Sequence, residues 1–108
     1  MNRLGVVLAM AAFSLAAIAA GKAVDGRQKA EFDELVAKAS AVIDTVNAME
    51  DRARAAGQSL HPDLIARRAL VQSSMDDAQK ALDANDGDLL KERLKRARGH
   101  IERLNRML

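Results

Sequence analysis

The sequence predicts an all-α protein: an N-terminal apolar export or anchor segment, then a three-helix up-down-up bundle or a coiled-coil-like hairpin. Three observations lead there. Apolar residues after position 28 recur every three or four residues, the period of one helix face, in three separate stretches. Two short segments rich in turn residues, Gly57 to Pro62 and Asn85 to Asp88, divide those stretches. No stretch alternates apolar and polar residues as a half-buried strand does, and Tyr and Trp are absent.

The first element is the charge-free run Leu4 to Ala20, behind Arg3 and ahead of Gly21-Lys22. As a helix it would span roughly 26 Å, slightly less than the ~30 Å hydrocarbon core of a bilayer. Its larger side chains come first and its small ones last, the order of a secretory signal with an A-x-A site at Ala17-Ile18-Ala19. Cleavage after Ala19 would divide the chain into a signal peptide (1–19), a polar link (20–27) and a helical domain (28–108). The expected location is then periplasmic or secreted. The alternative is an uncleaved anchor reaching about residue 21, with the helical domain outside the cytoplasm on the inner membrane. A buried alanine-rich core helix is a third reading of the same run.

Composition narrows the chemistry. With no cysteine there is no lipobox, disulfide framework or thiolate metal site. Phe32 is the only aromatic residue beyond the apolar run, so the core must come from Leu, Ile, Val, Met and Ala. Such a core buries little area per side chain, and a protein partner or self-association is expected to add to it.

The first helix of the domain is expected from about Gly26 to Ala56. Asp25 followed by Gln28 forms a capping-box pattern, and Gly57 can close the C-terminus in the left-handed conformation. Its apolar stripe is Phe32, Leu35, Val36, Ala39, Val42, Ile43, Val46, Met49 and Ala53. Pro62 suits the first turn of the second helix, and Asp63 complements its positive end. There Leu64, Val71, Met75, Ala78 and Leu82 share a side, interrupted by Arg67, Arg68, Ser73 and Ser74, up to a stop near Asp83.

The third helix has the cleanest periodicity. Leu90, Leu94, Ala97, Ile101, Leu104 and Leu108 alternate by four and three residues, a seam that serves either as core or as an interface with a second copy. Residues 91–108 hold seven Lys and Arg against two Glu, whereas residues 20–90 hold nine against thirteen Asp and Glu. Those opposite charges favour docking of the third helix on the first two, and short links favour antiparallel neighbours.

Sites of chemistry are scarce. The turn Asp83-Ala84-Asn85-Asp86-Gly87-Asp88 fails as a calcium loop, because counting from Asp83 puts Gly87 fifth and Leu94 twelfth. His61 and His100 have no histidine one helical turn away, and no serine lies in a nucleophile elbow. Neither a cofactor nor a metal is expected. Ile43-Asp44 with Arg52 resembles the first helix of the exported chorismate mutases, over ten residues. That resemblance implies a dicarboxylate held by arginines and a lysine. The arginine expected shortly before Ile43 is missing, Lys38 being the nearest cation on that side, so no catalytic residue is carried over.

The cations of the third helix are spread over its non-seam positions, and no aromatic residue there could stack on bases. Nucleic acid is therefore not expected as a partner. Membrane contact is expected only through the N-terminal segment, if it is uncleaved. Together these readings describe an exported, small, helical, non-enzymatic binding or structural protein of the bacterial envelope, with a membrane-anchored helical adaptor as the alternative, and a small helical enzyme or a basic anion or nucleic-acid binder as less favoured ones.

Overall fold

The computed structural model describes residues 22–108. The leader expected at 1–19, the expected cleavage residues Ala17 and Ala19, and the run Leu4 to Ala20 lie outside them. Three helices are described: α1 (Gly26–Ala55), α2 (Pro62–Asp83) and α3 (Gly87–Arg106). Each packs on the other two, and the α2–α3 pairing is the most extensive. No strand occurs among the described residues.

Local chemistry fixes the helix ends. The Asp25 carboxylate accepts from the Gln28 backbone N–H at 2.8 Å while the Gln28 side chain accepts from the Asp25 N–H at 3.1 Å, a closed capping box. At the far end of α1, Gly57 takes φ +73°. The Gln58 N–H then donates to the Ala53 carbonyl at 2.8 Å and the Gly57 N–H to the Arg54 carbonyl at 3.0 Å, satisfying two carbonyls the helix leaves orphaned. Asn85, at φ 53°, closes α2 in the same manner, with Asp86 N–H donating to Ala81 and Asn85 N–H to Leu82. Asp86 at once caps α3, accepting from the Leu89 N–H at 3.1 Å.

The order is up-down-up. Arg68 of α2 hydrogen-bonds Asn47 and Glu50 near the end of α1, while Leu82 and Asp83 border one groove with Val24 and Lys29, so α1 and α2 run antiparallel. The Gln28 side chain donates to the Gly87 carbonyl at 2.7 Å, and Lys38 and Val42 share a groove with Ile101 and Asn105, so α1 and α3 run parallel.

The core holds Phe32, Leu35, Ala39, Val42 and Val46 of α1, Leu64, Val71, Ala78 and Ala81 of α2, and Leu90, Leu94, Ala97, Ile101 and Leu104 of α3. Leu60, in the connection before α2, joins them. Alanines on all three helices let the backbones approach closely, which offsets the lack of aromatic bulk.

Three expectations are corrected. Val36 belonged to the expected α1 stripe but is 40% exposed. Ser74, read as a break in the α2 pattern, is buried and returns its hydroxyl proton to the Val71 carbonyl at 3.0 Å, so it enters the core with its polar group satisfied. The third concerns residues 22–25, expected to be part of a polar link. They form a strap on the α2–α3 turn: the Gly87 N–H donates to the Lys22 carbonyl at 2.6 Å and the Val24 N–H to Asn85 Oδ1 at 3.0 Å. The Lys22 N–H adds a longer bond of 3.4 Å to Asp88.

Candidate functional site: the outward face of the third helix

Of the six seam residues named from the sequence, Leu90, Leu94, Ala97, Ile101 and Leu104 are buried inside the chain. Leu108 is not among them. α3 ends at Arg106, so Leu108 has no helical position from which to continue the seam and is 43% exposed. With its apolar face used internally, α3 presents its opposite face to solvent.

At 3.6 residues per turn, Glu92, Lys95, Arg96, Gly99 and Arg103 fall on the side away from the seam. These five and His100 line an open groove of about 400 Å³. Gly99 sits at its centre, and a Cβ built there meets nothing within 4 Å, so the groove floor is bare backbone.

Neighbouring contacts sort the cations. Arg98 turns inward and pairs with Glu31 of α1, and Arg68 pairs with Glu50 at 3.0 Å. Lys95, Arg96, Arg103 and, from α2, Arg67 make no ion pair among the described residues. Of the seven cations of α3, Arg98 alone is paired among the described residues; Lys95, Arg96 and Arg103 border Gly99, and Lys91, Arg93 and Arg106 lie outside the groove. Helical-wheel placement of Gly99 opposite the seam was the signal available in the sequence. A glycine inside a helix costs about 1 kcal/mol relative to alanine, and no packing demand accounts for this one.

His100 lies at the edge of the groove, half-buried, with Nδ1 buried and without a hydrogen-bond partner. Burial holds its pKa below the ordinary 6.5, and the positive charges of Arg103, Arg67 and Arg96 lower it further. The unfolded chain therefore takes up a proton near pH 6.5 that the folded chain resists. Stability from this group is complete above pH 6.5 and is lost as pH falls from there through the lower folded value. Glu34 and Glu50, whose pKa values are lowered by hydrogen bonds from Lys38 and Arg68, add a separate loss below pH 4.5. Urea midpoints at about pH 7.5 and about pH 5.5 should fall for the wild type and fall less for His100→Gln; equal declines would refute this role of His100.

The remaining sequence candidates stay apart. His61 is exposed, and its Nδ1 accepts from the Asp63 N–H at 3.2 Å as the N-cap of α2. In the acidic turn, Asn85 and Asp86 are engaged in capping. No group of three or more His, Asp or Glu able to hold a metal occurs among the described residues.

Comparison with protein-family models, curated proteins and solved structures found no match.

Proposed function

We propose that this chain is a small helical binding or structural protein of the bacterial cell envelope, exported by its apolar leader and acting by contact rather than by catalysis. The observation that carries this reading is the run Leu4 to Ala20, uncharged throughout and graded from larger to small side chains ahead of Ala17-Ile18-Ala19. The bundle lends support of a different kind. Its best apolar seam is occupied within the chain, leaving charged surfaces to meet a partner.

A membrane-anchored adaptor is the second reading, favoured by the strap. Hydrogen bonds from residues 22–24 to the α2–α3 turn leave little slack between the apolar run and the bundle, as suits a domain held close to a membrane. Intact-mass and N-terminal analysis of the protein from its native host separates the two. A start at Ala20 is the expected result for export, whereas an intact Met1 or Asn2 in the membrane fraction selects the anchor. Full-length protein in the soluble cytoplasmic fraction would refute both.

A further inference from the structure

The groove over Gly99 combines four features that the fold does not require. Its floor is a helix-interior glycine with open space where a Cβ would stand. Lys95, Arg96 and Arg103 border it without an ion pair among the described residues. The charge of Arg67, on α2, acts on His100 together with those of Arg103 and Arg96. The His100 Nδ1 is buried beside it with no partner. Glu92 is the one carboxylate on the rim.

Several cations facing one carboxylate leave an excess of positive charge that a single carboxylate ligand would not balance. Guanidinium groups present paired N–H donors matched to the oxygens of phosphate, and a bare backbone floor lets a bulky tetrahedral anion settle between them. We propose that this groove binds a multiply charged phosphate group, held by Arg96 and Arg103 with Lys95 as a third cation. The group can belong to a soluble phosphate compound or to a lipid headgroup, and the chemistry of capture is the same. The site deepens the reading of the chain as a binding protein, but its test needs no export: failure at the groove leaves the leader's role standing, and the reverse also holds.

The test uses the full chain in neutral phosphatidylcholine nanodiscs at fixed salt, followed by heteronuclear NMR. Inorganic pyrophosphate is titrated in one arm, and phosphatidic acid, whose phosphomonoester can carry two charges, replaces part of the lipid in the other. Saturable shifts at Gly99, His100, Arg96 and Arg103 are expected in at least one arm. The responding arm identifies the source. Arg96→Gln and Arg103→Gln should each weaken binding roughly tenfold. Gly99→Ala should weaken it too while raising the melting temperature, since alanine favours the helix. Lys91→Gln, an exposed cation outside the groove, should change affinity by less than about twofold. An absence of saturable shifts in both arms overturns the proposal. So does a Lys91→Gln loss equal to that of Arg96→Gln, or full affinity in folded Gly99→Ala.

Discussion

Leu94→Ala should lower the stability of the bundle by about 3 kcal/mol and its melting temperature by about 12–24 °C. Leu94 is 1% exposed, at the middle of the α3 seam where packing on α2 is most extensive. It is one of only four leucines among the largest fully buried side chains, with Leu35, Leu90 and Leu104. Losing its isobutyl group removes both transfer free energy and the dispersion contacts around it. Neighbouring helices pinned by caps at both ends have little freedom to collapse into the space. For a domain this small, a loss of that size is a large part of the total stability.

Leu108→Ala supplies the comparison. Periodicity assigns both residues to the same seam, but Leu108 is 43% exposed beyond the end of α3. Its truncation should change stability by less than about 0.5 kcal/mol. Thermal melts of the full chain followed by far-ultraviolet circular dichroism measure both. Equal losses at the two positions would mean that the seam extends to the C-terminus, contrary to the structure.

What could be read in advance was local. Asp25 with Gln28, Gly57, Pro62 and the Asn85 to Gly87 turn announce helix boundaries because capping satisfies backbone groups within a few residues of the cap. The α3 seam was legible for the same reason, since a strict four-three spacing has one geometric outcome. Leu108 was misassigned because spacing says nothing about where backbone hydrogen bonding stops. Ser74 was misjudged because a hydroxyl can satisfy itself on its own helix and then pack as a small residue.

The non-local features were not legible. The strap needs Lys22 and Val24 to meet Asn85 and Gly87, more than sixty positions away. The groove on α3 depends on which cations find carboxylates on other helices. Arg98 finds Glu31, and Arg96 and Arg103 find none among the described residues. From sequence alone all three were equivalent members of one basic helix.

Gly87→Ala tests the strap and is expected to cost about 1–3 kcal/mol. An added Cβ would lie 2.6 Å from the Ala23 carbonyl oxygen and 2.9 Å from that of Lys22. Both obstacles are backbone, so no flexible side chain can yield. Gly87 has no positive φ, and α3 itself would accept alanine there; the penalty comes from the strap. Its displacement breaks the bond from the Gly87 N–H to Lys22 and pulls the Val24 N–H away from Asn85. Gly26→Ala is the control, since a Cβ there meets nothing within 4 Å and should leave stability level or slightly raised. Amide hydrogen exchange locates the effect: Gly87→Ala should expose the Val24 and Gly87 amides, while Leu94 and Ile101 keep most of their protection. Unchanged protection at Val24 would mean that the chain enters the bundle without gripping the turn. A chain gripped at Lys22 hands any pull on that residue directly to the junction of α2 and α3, whereas one gripped first at Gly26 would absorb it in a slack link.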